Sequence, residues 1–124
     1  MRIALFADIH GNREAFEACL ADASRRGVDR SAFLGDIVGY GADPAWCVDT
    51  VALACEAGAF ALLGNHDAAI GTPSDTMNAA ATRAIDWTRG QLDSAQAAFL
   101  AALPLERTEG DALFVHANGW APKD

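Results

Sequence analysis

Short, uninterrupted apolar runs alternate along this chain with longer stretches in which apolar residues recur every three or four positions. The runs predict strands and the periodic stretches predict helices, because side chains alternate across a strand but repeat along one helix face. The predicted strands span 2–7, 30–34, 59–63, 105–108 and 112–115. The predicted helices span 13–26, 44–58, 76–89 and 94–103, and most begin at a capping residue or end at glycine or proline.

The order of these elements predicts an α/β fold, in which helices pack against a mainly parallel sheet. Residues 1–124 are expected to form a single domain, because no linker, repeat or low-complexity tract divides them. A hairpin so late in the sequence would leave an open sheet edge, through which two copies could pair. We therefore expect the sequence to be part of a longer protein.

Polar residues follow directly after the predicted strands, in short turns that contain glycine. Because parallel strands end at the same edge of a sheet, these turns should meet where α/β folds place their ligands. An extended backbone would point residues two positions apart, such as Asp8 and His10, in the same direction. The side chains expected in this cleft are Asp8, His10, Asp36, Asn65, His66 and His116. Such oxygen and imidazole donors predict a metal centre, in which the two oxygens of Asp36 could bridge two cations.

The first of these turns argues against two other classes of α/β enzyme. A dinucleotide-binding fold would carry a glycine-rich Gly-x-Gly-x-x-Gly segment after its first strand, whereas residues 7–12 are Ala-Asp-Ile-His-Gly-Asn. An enzyme that forms a phosphoaspartyl intermediate would carry Asp-x-Asp. Here the third position is His10, which favours metal binding over a covalent aspartyl intermediate.

Composition and charge limit the possible binding partners of the protein and its cellular compartment. A formal net charge of −8 argues against nucleic acid, because phosphate binding needs clustered lysine and arginine. The sequence has no apolar run of 18 residues, which argues against a membrane-spanning helix. Cys19, Cys47 and Cys55 show no metal-ligand spacing and are expected to be reduced, buried thiols. These features predict a cytoplasmic protein.

Four segments together resemble the successive motifs of the calcineurin-like metallophosphoesterase superfamily. They are Asp8-Ile-His10, Gly35-Asp36-Ile-Val-Gly-Tyr-Gly41, Gly64-Asn65-His66-Asp67 and Val115-His116. Their variants are similar to those of small prokaryotic phosphodiesterases and phosphatases in that superfamily. The resemblance implies an αββα sandwich, two divalent metal ions (Mn, Fe, Zn, Co or Ni) and a small phosphorylated substrate.

The resemblance also implies a role for each matching residue. Asp8 and His10 would bind the first metal ion, Asp36 would bridge the two ions, and Asn65 and His116 would bind the second. His66 would act as the general acid that protonates the leaving alkoxide, since the pKa of histidine lies close to working pH. Hydrolysis would use a water activated by the two metal ions.

Two departures from the superfamily pattern shape the expected activity. The late Gly-His-x-His motif is absent, because no histidine follows His116, so each metal ion would lack one imidazole. The second sheet is also expected to be truncated. Gly39-Tyr40 replaces the Asp-Arg pair of the eukaryotic-type protein phosphatases, which favours phosphodiesters or small phosphomonoesters as substrates; Tyr40 itself is expected to pack at the cleft rim. The alternative is a weakly active or inactive metal-binding or assembly fragment of such an enzyme.

Overall fold

The computed structural model describes residues 1–124, which form five strands and five helices. The strands are β1 (Ile3–Phe6), β2 (Arg30–Phe33), β3 (Phe60–Ala61), β4 (Glu106–Glu109) and β5 (Ala112–Val115). The helices are α1 (Arg13–Arg25), α2 (Pro44–Glu56), α3 (Asn65–Gly71), α4 (Ala79–Gln91) and α5 (Ser94–Ala101).

The first three strands form a parallel sheet in the order β1-β2-β3. Phe6 pairs with Phe33 and Phe33 pairs with Ala61, so the three strands end side by side. The segments that follow them therefore emerge at one edge of the sheet. β4 and β5 pair antiparallel as a separate two-stranded sheet. The predicted α/β fold is confirmed, and its second sheet has two strands.

The core lies between the parallel sheet and its helices, and its centre is an aromatic cluster. The rings of Phe6 and Phe33 stack with centroids 5.2 Å apart, and Phe16 of α1 meets Phe33 edge-on at 5.8 Å. Val48 and Val51 of α2 are fully enclosed beside them. Burying each such side chain stabilises the fold by roughly 1.5–3 kcal/mol. The sheet therefore gives the turns at its edge a rigid base.

Three local features differ from the sequence-based expectations. Helix α3 was not predicted, because seven residues are too few to show a helical period. Helix α4 begins later than the predicted cap at Asp75 or Thr76, since the side chain of Asn78 accepts the N–H of Ala81 at 2.9 Å. Strand β3 is shorter than 59–63, although Leu62 continues the ladder by donating its N–H to the carbonyl of Phe33.

The burial of the three cysteines and the lengths of the helices also bear on expectations drawn from the composition. All three cysteines are predicted to be buried. Cys47 is buried and Cys55 is partly buried, but Cys19 on α1 is exposed, so the prediction is wrong for Cys19. No helix is both long enough and apolar enough to cross a bilayer.

Candidate metal centre

The five predicted metal ligands converge on the carboxylate of Asp36. Nε2 of His10 and Nε2 of His116 lie 3.5 Å and 3.4 Å from Oδ2 of Asp36. Nε2 of His10 also lies 3.5 Å from Oδ1 of Asp8. The side-chain amide of Asn65 lies 3.3 Å and 3.2 Å from the two carboxylate oxygens of Asp36. The structure thus brings together residues that are up to 108 positions apart in the sequence.

Both imidazoles are oriented by backbone carbonyl groups. Nδ1 of His10 lies 2.9 Å from the carbonyl oxygen of Val38, and Nδ1 of His116 lies 2.7 Å from that of Leu34. A carbonyl oxygen can only accept a hydrogen bond, so each Nδ1 carries the hydrogen. In the neutral ring, Nε2 then holds a free lone pair and faces Asp36. Metal-binding histidines in proteins are commonly fixed in this way.

The donor set fits divalent cations. Nε2 of His10 and Nε2 of His116 both face the carboxylate of Asp36, so a proton or a cation must lie between each ring and the carboxylate. The NH2 group of Asn65 is placed to donate to both oxygens of Asp36, and the amide would turn over to offer its oxygen to a metal ion. One ligand atom from each of Asp8, Asp36 and His116 lies within 4.8 Å of the others. Mixed nitrogen and oxygen donors suit Mn, Fe, Co, Ni or Zn ions.

The two oxygens of Asp36 have different surroundings. Oδ2 faces both imidazoles, whereas Oδ1 accepts the backbone N–H of His66 at 3.0 Å. The side chain of Asp36 is only 4% exposed, and that of Asp8 is 60% exposed. Asp36 therefore forms the floor of the candidate site, and Asp8 forms its solvent-facing rim.

The ionisable groups on this floor shift one another's pKa values. Burial raises the pKa of Asp36, but the hydrogen bonds and charges supplied by His116 and His66 outweigh burial and leave that pKa below its usual value. The hydrogen bond to Asp36 raises the pKa of His116 to about 9. A metal ion at this position would therefore compete with a proton for the imidazole of His116.

Three of the five predicted ligands have left-handed backbone conformations. Their φ angles are 55° at Asp8, 47° at His10 and 57° at Asp36. The expectation that Asp8 and His10 lie on an extended segment is therefore wrong, although both side chains do reach the cleft. Hydrogen bonds between neighbouring turns stabilise this strained backbone, because the His10 N–H donates to the Asp36 carbonyl at 2.9 Å. Strain of this kind costs on the order of 1–3 kcal/mol per residue and is concentrated at functional sites.

Asp67 joins two of the turns and was missed as a site residue. Its buried carboxylate accepts the N–H of Gly64 at 3.0 Å within its own turn. Across the cleft floor it accepts the N–H groups of Asp36, Ile37 and Val38 at 2.7, 2.9 and 3.1 Å. Burial raises the pKa of Asp67 to about 6, and the hydrogen bonds from Gly64, Val38 and Asp36 oppose that rise. The sequence shows Asp67 only as the acid that follows His66, and nothing in it reveals the contacts with the distant turn.

Two glycines allow the ligands to approach one another. A Cβ atom at Gly64 would collide with Oδ1 of Asp36. A Cβ atom at Gly35 would lie 2.7 Å from Nδ1 of His116, and the φ of Gly35 is +100°. Any larger side chain at these positions would push the ligands apart.

His66 lies beside the candidate ligands and is 7% exposed. The centroid of its ring is 4.8 Å from that of His10 and 4.9 Å from that of Tyr40. Burial lowers the pKa of His66, which favours the neutral ring. Tyr40 is 55% exposed, so it lies at the cleft rim as expected but covers the two histidine rings.

The sequence model of calcineurin-like phosphoesterases matches residues 1–120. The chain belongs to this family. It is 39% identical over 127 residues to an uncharacterised protein of Methanocaldococcus jannaschii, and the match covers 98% of this chain and 51% of that relative.

Two solved structures resemble the chain closely. A metallophosphoesterase from Sphaerobacter thermophilus is 41% identical, with a TM-score of 0.83 over 99% of this chain and 49% of its own. A hypothetical protein from Pyrococcus horikoshii OT3 is 19% identical, with a TM-score of 0.86 over 98% of this chain and 57% of its own, and it supports the fold alone. The chain thus spans about half the length of the relatives it matches.

Proposed function

We propose that this chain supports the metal-dependent hydrolysis of a phosphodiester or a small phosphomonoester. The observation that carries the proposal is the convergence of Nε2 of His10 and Nε2 of His116 on the buried carboxylate of Asp36. Membership of the calcineurin-like phosphoesterase family supports hydrolysis of phosphoesters with metal ions. We infer the type of ester, the catalytic role of each residue and the cytoplasmic location of the protein.

The site residues divide between two metal positions. In our proposal Asp8 and His10 would hold one divalent ion, Asn65 and His116 would hold the other, and Asp36 would serve both. When bound, the two ions supply Lewis-acid polarisation of the phosphoryl group and an activated water. Asp8 is well placed to face an entering substrate, because its carboxylate lies at the open rim.

His66 is the proposed general acid. Its backbone N–H donates to Oδ1 of Asp36, which fixes the residue next to the reacting centre. Because burial lowers its pKa, the ring is neutral and must take up a proton before it can protonate a leaving alkoxide. General acid catalysis typically contributes about 10²–10⁴-fold to a rate.

The first experiment asks whether the chain binds metal and turns over phosphoesters. The protein is purified with Mn²⁺ and assayed on bis(p-nitrophenyl) phosphate beside p-nitrophenyl phosphate, with and without a chelator. We expect chelator-sensitive hydrolysis that Asp36→Asn abolishes. Asp111→Asn, an exposed carboxylate in the hairpin turn, should leave both metal content and activity unchanged.

A second variant separates the acid from the ligands. His66→Ala should lower turnover of diphenyl phosphate, whose leaving group is more basic than p-nitrophenolate, by about 10²-fold or more while the metal content stays near that of the unmodified protein. A large loss of metal would contradict the acid role. Tight metal binding without hydrolysis of either ester would instead favour the alternative of a metal-binding fragment without turnover, which the half-length match to the relatives motivates.

A further inference from the structure

The imidazole of His66 has no polar group that orients it. Nδ1 of His66 is buried and has no hydrogen-bond partner. The imidazoles of His10 and His116, by contrast, each donate from Nδ1 to a backbone carbonyl. A general acid needs a defined ring orientation, because proton transfer requires hydrogen-bond geometry. Something other than a hydrogen bond must therefore orient His66.

Aromatic packing is the interaction that remains. The ring of Tyr40 lies over His66 with centroids 4.9 Å apart and planes tilted by 48°. The ring of His10 meets His66 edge-on at 4.8 Å, and Tyr40 meets His10 edge-on at 5.1 Å. A Cβ atom at Gly39 would lie 2.6 Å from Nδ1 of His66, so the Gly39 backbone packs directly against the His66 side chain.

The backbone of Tyr40 indicates that its ring is placed at some cost. Its φ is +64°, a left-handed conformation that costs an ordinary residue roughly 1–2 kcal/mol and that glycine would adopt without strain. The side chain is also 55% exposed, so burial of its apolar surface contributes little to stability. Its aromatic contacts are with the rings of His10 and His66.

We infer that Tyr40 is a positioning residue for His66, whose imidazole it holds in one orientation by ring packing in place of a hydrogen bond. The inference rests on the proposed function, in which His66 protonates the leaving group. It goes further by assigning a task to a residue outside the candidate ligands. The contact needs the aromatic ring and not the hydroxyl group, so phenylalanine should replace tyrosine.

The kinetic test compares two leaving groups in the Mn²⁺-loaded chain. Bis(p-nitrophenyl) phosphate releases a stable anion that needs little help from an acid, whereas diphenyl phosphate releases a more basic one. Tyr40→Ala should lower kcat for diphenyl phosphate by about 10–10²-fold and kcat for the nitrophenyl ester by less than about threefold, with KM little changed. Tyr40→Phe should restore both, and Trp87→Ala, a control of comparable exposure on α4, should change neither.

A second readout does not depend on turnover. In metal-free protein labelled with ¹⁵N, the imidazole resonances of His66 should form one sharp set in the unmodified chain and in Tyr40→Phe. In Tyr40→Ala they should broaden or split, because the ring samples several orientations. Those of His116, which Leu34 orients, should stay sharp and serve as the internal control.

The outcomes distinguish the two proposals. An unmodified chain that binds Mn²⁺ without hydrolysis would defeat the proposed function, and the spectra would still decide whether Tyr40 orients His66. Equal losses on both esters, a rise in KM alone, or sharp His66 resonances in Tyr40→Ala would each overturn the positioning role. A KM effect would mean instead that Tyr40 contacts the substrate.

Discussion

The candidate site has two halves that are built differently. In the half supplied by the parallel sheet, buried backbone hydrogen bonds tie the turns together, and the carboxylate of Asp67 accepts four N–H groups from two of them. In the half supplied by the hairpin, His116 directly follows β5, which belongs to a separate two-stranded sheet. The position of Asp36 is therefore set by the fold core, and that of His116 by how the hairpin docks.

Side-chain contacts attach the hairpin to the parallel sheet. Arg30 of β2 donates to both carboxylate oxygens of Glu109 at 2.6 and 2.8 Å. The rings of Phe60 and Phe114 meet edge-on with centroids 5.1 Å apart. These contacts are partly exposed, and exposed ion pairs contribute little to stability. The floor of the site is therefore organised by folding of the core, whereas the position of His116 depends on the weaker contacts that dock the hairpin.

Removing the carboxylate that joins the sheet-derived turns should have the largest effect. Asp67→Ala leaves four buried N–H groups without their acceptor, and each unsatisfied group costs about 1–3 kcal/mol. We expect the free energy of unfolding to fall on the order of 4 kcal/mol, measured by urea denaturation. Asp67→Asn, which keeps one acceptor oxygen, should lie between this variant and the unmodified chain.

The matched control is Asp111→Ala, which removes an exposed carboxylate from the hairpin turn. Its free energy of unfolding should change by less than about 0.5 kcal/mol. If Asp67→Ala were as stable as this control, the view that Asp67 organises the floor of the site would be wrong.

A methyl group placed between two turns should have the next largest effect. The Cβ atom of Gly64→Ala would collide with the carboxylate of Asp36, while the φ of −92° at Gly64 suits alanine, so the cost is purely steric. We expect a loss of about 1–3 kcal/mol in the free energy of unfolding and at least tenfold weaker Mn²⁺ binding by equilibrium dialysis.

Gly90→Ala provides a control of opposite sign. Gly90 lies in α4, and a Cβ atom there meets nothing within 4 Å. Alanine should stabilise this helix by about 0.5–1 kcal/mol and leave Mn²⁺ binding unchanged. Equal metal affinity in the Gly64 and Gly90 variants would show that the collision relaxes without moving Asp36.

The sequence predicted the parts of this architecture that depend on local patterns. Apolar runs marked the strands, and the shared edge of a parallel sheet explains why Asp8, Asp36 and Asn65 meet. The sequence did not reveal the bonds from Asp67 to the second turn, because a carboxylate that accepts distant backbone N–H groups leaves no periodic signal. The packing of Tyr40 on His66 was hidden for the same reason.

Backbone conformation set the other limit. Alternation along an extended strand was the wrong reason for bringing Asp8 and His10 together, because both residues are left-handed. Nothing in the residue types requires that conformation; the hydrogen bonds with the neighbouring turn impose it. Local pattern therefore located the residues, and tertiary hydrogen bonding set their geometry.

Loosening the hairpin should have the smallest effect on stability, and that effect should depend on pH. The hydrogen bond from Arg30, assisted by Arg107, holds the pKa of Glu109 below its usual value. A carboxyl group whose pKa is lowered by folding stabilises the fold above its unfolded pKa of about 4.3, and this contribution is lost as the pH falls through the folded value. Glu109→Gln should therefore be less stable than the unmodified chain at pH 7 and equally stable at low pH.

The measurement is urea denaturation of both proteins at pH 7 and at about pH 2–3, below the unfolded pKa. Glu106→Gln, on the same strand and exposed, should match the unmodified chain at both pH values. At pH 7, Glu109→Gln should also weaken Mn²⁺ binding modestly, because His116 depends on the hairpin, whereas the turns joined by Asp67 do not. A loss of stability in Glu109→Gln that persisted at low pH would mean that the ion pair does not carry the docking.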